Sequence, residues 1–302
     1  MPRHGASVAG TGGRLLVGAV VVALIAGACG AAASPSAVSG PERVKEAGTL
    51  VTCTDTWFPP FESTETGGPA EVGTDAVGLD IDIAAEVAKR LGVTSRIAPT
   101  GWDSLLSDLD AEKCDLVISG MTSTFGGRAE RADFVDYLRT WTGFLVAAGN
   151  PKGIHTTQDL AGKSVAVALG SSLEASLRAA STDLVATGKP AIELVTESPS
   201  HTVKDKSDSE KEWVERLAAG QVDALAGDSA QDAYYVDKPP YAGASEIGGP
   251  ALDPQPIGIA IRKGDAGMKE AVAAAIDAMY ADGTMKAIVE EWGMTDAVEL
   301  LE

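Results

Sequence analysis

Along the chain, short apolar runs alternate with segments whose apolar residues recur every three or four positions, the pattern of an α/β protein with mainly parallel sheets. LVTCTD (50–55) reads as a strand and is followed by a turn-rich stretch over 58–78. DIDIAAEVAKRLG then reads as a helix: Ile83, Val87 and Leu91 fall on one face, Asp80 is placed to cap the start, and Gly92 ends it. SRIAPT reads as a strand, WDSLLSDLDAEK as a helix and DLVISG (115–120) as a strand. VAVALG (165–170) is a further strand running into a helix that begins near Ser171. EKEWVERLAAG and VDALAGD repeat the helix-then-strand order, and MKEAVAAAIDAMYAD is a periodic helix with Met268, Val272, Ile276 and Met279 on one face. Residues 182–210 show weak periodicity and many small or charged residues, and most of them are expected to be surface connection.

Two stretches resemble each other. LLSDLDAEKCDLVISGM (105–121) and WVERLAAGQVDALAGDS (213–229) each give a helix, an aspartate, an apolar run and a polar or glycine tip. Leu109 precedes Asp115 by the same interval as Leu217 precedes Asp223, and Gly120 and Asp228 share the tip position. Two half-domains would then each present the carboxyl end of a strand, where open α/β sheets bind small ligands. Any two α/β units could also match at this level.

The amino-terminal segment differs from the rest. Residues 1–14 carry Arg3 and Arg14 without an acid, and 15–28 (LLVGAVVVALIAGA) are uncharged and apolar, shorter than the ~20 residues of a membrane span. Residues 1–28 are therefore expected to be an export signal. Ile25-Ala26-Gly27-Ala28 followed by Cys29 resembles a bacterial lipobox, which implies lipidation of Cys29 and tethering at the outer face of the membrane; the alternative is an ordinary secretion signal with an incidental cysteine. Residues 29–43 would form a flexible, lipidated tether. That leaves Cys53, inside one predicted strand, and Cys114, at the start of a second, in an exported chain; neighbouring parallel strands would bring them together as a candidate disulfide, with two buried free thiols as the alternative.

Charge narrows the possible partners. The chain has 302 residues, with 24 Lys plus Arg against 43 Asp plus Glu, a net charge of −19 that argues against a phosphate-backbone binder, so no nucleic-acid partner is expected. Three histidines and three cysteines without zinc-ligand spacing point to no metal and no cofactor. GMTSTFGGR misses a P-loop in both spacing and its last residues, no G-x-S-x-G occurs, and His155 and His201 lack a nucleophile motif, so no enzyme is expected.

Several motifs, in order, carry a family resemblance. GLDIDIAAEVAKRLG (78–92), TDTWFPPFE (54–62), GWDSLL, KCDLVISGMTST (113–124), RAERADFVDYL, DLAGKSVAVALGSS, AAGQVDALAGDSA and YADGTMKAIVEEWG resemble the extracellular solute-binding proteins of family 3, the amino-acid receptors of bacterial ABC importers, over about residues 44–296. Leu79 stands where an aromatic is usual. The resemblance implies a periplasmic-binding-protein-like type II fold: two α/β, Rossmann-like lobes joined by two crossover strands, with the ligand between them. Lobe one would comprise 44–139 and 259–302, and lobe two 140–258.

The resemblance also implies roles. Arg128 would bind an α-carboxylate through its guanidinium fork, although one extra residue among Phe125-Gly126-Gly127 separates it from Thr124. Asp228 would receive the α-ammonium, with the Gly120 carbonyl and Thr122 hydroxyl assisting. Ser171 and Ser172 would offer helix-start N–H groups to an anion. Phe58 would lie over the ligand, Trp57 and Trp102 would form further walls, and Asp55 would face the ligand's side chain, favouring a polar or cationic one. The expected partners are a free amino acid, ABC permease subunits and, through the lipid, the membrane, with the protein a monomer. A catalytic derivative of the same fold, of the cyclic-acid dehydratase kind, and a sensory binding lipoprotein are the alternatives.

Overall fold

The computed structural model describes residues 40–56, 58–64, 76–197, 214–236, 242–249 and 252–301. The signal segment, Cys29, Trp57 and His201 lie outside them. From the amino end come α1 (Gly40–Ala47), β1 (Thr49–Thr54), the short pair β2 (Ser63–Thr64) and β3 (Ala76–Val77), α2 (Leu79–Leu91) and β4 (Thr94–Pro99). A 3-10 turn at Trp102–Ser104 leads into α3 (Leu105–Asp110), β5 (Leu116–Val117), α4 (Arg128–Arg131) and the long strand β6 (Ala132–Ala147). The chain continues through β7 (Ser164–Ala168), α5 (Ser172–Ala186), β8 (Glu193–Glu197), α6 (214–218), β9 (Ala224–Asp228) and α7 (Ser229–Val236). It closes with β10 (Ser245–Ile247), the second long strand β11 (Leu252–Arg262), α8 (Ala266–Ala281), α9 (Thr284–Glu291) and β12 (Glu299–Leu300).

The strands form one curled sheet in the order β4-β1-β5-β11-β6-β9-β7-β8. At one end β4, β1 and β5 run parallel; at the other β9, β7 and β8 do. Between them β6 and β11 pair antiparallel and belong to both halves. A strand the length of β6 spans roughly 50 Å, so two such strands can form the crossover of a two-lobed molecule. The first half is packed around Leu79, Ile83, Val87, Met268, Val272 and Met279, all fully buried, as the helical periodicities of α2 and α8 predict. The second is packed around Phe144, Ile154, Leu160, Val165 and Leu177.

The internal similarity has a structural counterpart. Asp115 accepts from Val51 N–H at 3.0 Å while its own N–H donates to the Val51 carbonyl. Asp223 does the same with Ser164, again at 3.0 Å. Each aspartate therefore locks the start of one parallel strand against its neighbour, one in each half.

Three sequence expectations need correction. The tether does not extend to residue 43: α1 starts at Gly40, Val44 is buried, and Arg43 pairs with Asp115 at 3.4 Å. The described part of 182–210, residues 182–197, is not mainly surface connection: it holds the end of α5 and β8, with Leu184 and Ile192 buried, while 198–210 lie outside the described residues. β8 is an edge strand with a glutamate at each end, and edge strands carry polar residues that mask a strand's apolar signature. Asp80 does not cap α2. The first N–H groups of that helix go to the carbonyls of Pro60 and Phe61, at 3.0 and 2.9 Å, leaving the Asp80 carboxylate for other partners.

Cys53 and Cys114 form a disulfide with Cα atoms 5.8 Å apart, beneath Leu105, Leu109 and Val117. It closes a loop of 61 residues. Reduction, or the Cys53→Ala/Cys114→Ala double substitution, is expected to lower unfolding free energy by about 2–4 kcal/mol. Guanidinium unfolding with and without reductant measures this, and equal midpoints would refute it.

Candidate functional site

The loops at the carboxyl ends of β1 and β5 meet beside β6. Asp55, just past β1 and 5% exposed, donates its N–H to Ser119 Oγ at 2.9 Å. Phe58 and Glu62 pair through their backbones, closing a tight loop in which the Phe58 and Phe61 rings stack at 5.3 Å. The Phe58 ring lies so close to Gly120 that a Cβ there would come within 2.9 Å of it, and Gly120 has φ of 49°, so a glycine is required on both grounds. Thr122 is buried alongside.

The extra residue before Arg128 is absorbed by two consecutive left-handed glycines, Gly126 and Gly127, with φ of 65° and 71°. The chain then enters α4 with the Arg128 side chain turned back toward the strand ends. Its Cζ lies 5.2 Å from the Trp102 ring centroid and 5.7 Å from that of Phe125, and its Nη1 donates to the Thr122 carbonyl at 2.9 Å. Burial lowers its pKa. Among the described residues it has no carboxylate partner.

On the other half, β7 and β9 are parallel neighbours whose carboxyl ends carry the second group. Ser171 is the N-cap of α5: its Oγ accepts from Glu174 N–H at 3.1 Å and donates to the Ala168 carbonyl at 2.6 Å. Glu174, held by Arg178, accepts the Gly170 N–H at 2.6 Å. The first-turn N–H groups of Ser172 and Leu173 are paired with no acceptor among the described residues. Asp228 ends β9, 8% exposed, where its carboxylate accepts from Ala230 N–H at 3.0 Å and from the Thr140 hydroxyl. Burial raises its pKa to about 6.

The structure thus brings Phe58 against Gly120 and Arg128 against Trp102 and the Thr122 carbonyl, with Asp55 hydrogen-bonded to Ser119 next to Gly120, and sets Ser171, Ser172 and Asp228 just past or at the carboxyl ends of the adjacent strands β7 and β9. No hydrogen bond or ion pair among the described residues links Arg128 to Asp228. Among the described residues, no group of three or more His, Cys, Asp or Glu side chains is arranged to hold a metal.

Sequence reasoning missed four acids and a tyrosine. Glu62 and Asp80 are both fully buried; Glu62 accepts from Ser119 Oγ at 2.6 Å, and Asp80 accepts from Gly120 N–H at 2.7 Å and the Tyr137 hydroxyl at 2.6 Å. Burial pushes Glu62 well above the usual carboxylate range and Asp80 to about 7, and it raises Tyr137 as well. Asp232, on α7, lies over Gly143 and Gly227, which face each other across β6 and β9; a Cβ on Gly227 would come within 2.2 Å of its carboxylate. Its pKa is raised by burial and then by Asp228. Glu174 was visible only as one more helix residue. The acid in the F-E dipeptide and the first aspartate of D-x-D were the available signals for the pair.

Comparison with known proteins places the chain. The family model for bacterial extracellular solute-binding proteins, family 3, matches residues 50–295. The chain is 30% identical over 289 residues to the L-cystine-binding protein TcyJ of Escherichia coli (strain K12), covering 95% of this chain and 98% of that one. Among solved structures, an ancestral arginine-binding protein bound to arginine matches with a TM-score of 0.63 and 33% identity, over 81% of this chain and 98% of that chain. The ancestral amino acid-binding protein AncCDT-1, a precursor of cyclohexadienyl dehydratase, matches with a TM-score of 0.65 and 28% identity, over 84% and 99%. With two α/β lobes joined by β6 and β11 and a family match across most of its length, this protein is a member of the bacterial extracellular solute-binding proteins, family 3.

Proposed function

We propose that this protein is an extracytoplasmic receptor that closes its lobes on one free amino acid and delivers it to the permease of an ABC importer. Arg128 carries the reading. A half-buried guanidinium braced by two aromatic rings and one carbonyl, without a carboxylate partner among the described residues, is suited to donate two parallel hydrogen bonds to an α-carboxylate. Asp228 supplies the anion for the α-ammonium, and the free first-turn N–H groups of α5 supply further donors. Gly120 and Thr122 would complete the polar contacts, with Phe58, Trp57 and Trp102 as walls. Asp55 favours a polar or cationic side chain.

The lobes in this reading are 44–139 with 259–302, and 140–258. Only their closure lets both groups touch one ligand, so binding shifts the open–closed equilibrium. The relatives support the ligand class: one is named for L-cystine and one is bound to arginine, molecules that each carry an α-carboxylate and an α-ammonium. Binding without turnover belongs to the same reading, since the dehydratase precursor is itself described as amino acid-binding. Residues 1–28 direct export and Cys29 carries a lipid that holds a monomeric receptor at the outer face of the membrane. No helix among the described residues is long and apolar enough to cross a membrane.

A thermal-shift screen over the common amino acids and cystine is expected to find a stabilising ligand, with about 2.7 kcal/mol gained at a concentration a hundredfold above Kd; stabilisation by none of them would overturn the ligand class. Arg128→Ala should weaken binding by about 2–5 kcal/mol in calorimetric titration. Because Asp228 must be ionised to receive an ammonium and its pKa is raised to about 6, affinity should fall as pH drops through that value. Asp228→Asn should bind weakly and lose that acid limb. Cys29→Ala should move the protein from the membrane fraction to the medium, and unchanged fractionation would remove the anchor.

A further inference from the structure

Glu62 and Asp80 form a buried carboxyl pair. Each lies within hydrogen-bond reach of the other, and neither makes an ion pair with Lys or Arg among the described residues. Their oxygens can be accounted for one by one. Glu62 Oε1 accepts the Ser119 hydroxyl, Asp80 Oδ1 the Tyr137 hydroxyl, and Asp80 Oδ2 the Gly120 N–H. Glu62 Oε2 is fully buried and has no donor. A buried carboxylate oxygen without a donor is costly, and two facing carboxylates would repel as well. A proton on Glu62, donated to Asp80, removes both penalties. Among the described residues, the other ionisable groups facing the pair are Asp55 from the end of β1 and Tyr137 from β6, with Asp228 beyond Tyr137, and none of these is a cation.

We propose that Glu62 and Asp80 share a single proton, and that this proton is a positioning element that holds the backbones of Asp55 and Gly120 in place beneath Phe58. The hydrogen bonds form a directed chain. Asp55 N–H donates to Ser119 Oγ, the Ser119 hydroxyl donates to Glu62, Glu62 donates to Asp80, and Asp80 accepts Gly120 N–H. Glu62 also closes the loop that carries Phe58, through backbone bonds of 2.8 and 3.1 Å between the two residues. When the proton leaves, repulsion between the carboxylates displaces Glu62, and with it the Phe58 ring over Gly120 and the acceptor that orients Ser119.

The effect on binding rests on the amino-acid-receptor reading; the shared proton does not. A carboxyl pair that holds its proton more tightly when folded contributes stability that falls as pH rises from the ordinary carboxylate range toward the folded value, which for Asp80 is about 7. Unliganded protein should therefore melt at lower temperature at about pH 8 than at about pH 6, and Glu62→Gln should make that difference smaller, leaving the part that Asp228 and Asp232 contribute. Glutamine still accepts from Ser119 and donates an N–H to Asp80, but cannot ionise. In wild-type protein at neutral pH, difference infrared spectra should show a protonated-carboxyl carbonyl band that Glu62→Gln lacks. Equal pH dependence of melting in wild type and variant, or no such band, would overturn the shared proton whether or not a ligand is known.

With the stabilising amino acid found by the thermal screen, wild-type affinity should weaken by about tenfold between about pH 6.5 and pH 8.5. Glu62→Gln should abolish this alkaline limb while keeping the acid limb set by Asp228. A limb unchanged by Glu62→Gln would overturn the positioning role. If no amino acid binds while the melting and infrared results hold, the proton pair stands and the receptor reading falls.

Discussion

Asp80 sits fully buried at the first turn of α2 and accepts hydrogen bonds from Gly120 N–H and the Tyr137 hydroxyl. It can do so only because the carbonyls of Pro60 and Phe61 have already taken the first N–H groups of its helix. One carboxylate thereby ties the aromatic loop, the end of β5 and the crossing strand β6 into a unit. Gly78, immediately before the helix, must be glycine for this arrangement, since a Cβ there would meet the Phe61 carbonyl at 2.1 Å. The loops that follow β1 and β5 are organised around this constraint.

The distribution of charge in the interior follows a related logic. Glu62, Asp80, Asp228 and Asp232 are all buried and all held above the usual carboxylate range by loss of water. Against them stands Arg128, whose own pKa burial lowers. The surface acids have the opposite fate: Asp282, bonded to Thr284 and Arg90, is held at about 2, and Asp133, bonded to Lys263 and Gly264, is also lowered. The net charge of −19 therefore combines two populations. Surface acids such as Asp282 and Asp133 are held as anions by their partners, whereas Glu62, Asp80, Asp228 and Asp232 lie in the interior, out of water.

The two halves repeat one device. Asp115 and Asp223 each lock a first strand to its parallel neighbour, and the residues at the tips that follow, Gly120 and Asp228, fall at strand carboxyl ends. The halves diverge beyond that. In the first, glycine leaves space for the Phe58 ring, while in the second, aspartate leaves a carboxylate at the start of α7. Similar frames thus end in tips of contrasting chemistry, a glycine beneath an aromatic ring in one half and a buried carboxylate in the other.

Periodicity alone identified α2 and α8, because a helix face that must leave water imprints its spacing on the sequence, and Ile83, Val87, Met268 and Met279 are buried accordingly. The motifs in order identified the family, and hence the two crossing strands that no apolar pattern marked. β8 was invisible because an edge strand needs little apolar surface. The start of α1 was hidden within a small-residue segment whose packing against Asp265 is long-range. Arg128 could be named from sequence, but its cradle of Trp102, Phe125 and the Thr122 carbonyl required the fold. What the sequence by itself determined was the alternation of elements and the identity of the residues at the strand ends, since both follow from local spacing and motif. Only the tertiary structure decided which carboxyls lose their water and which donors reach them: Glu62, Asp80 and Tyr137 are separated by long stretches of chain, and burial and hydrogen bonding between such residues depend on how those stretches are brought together.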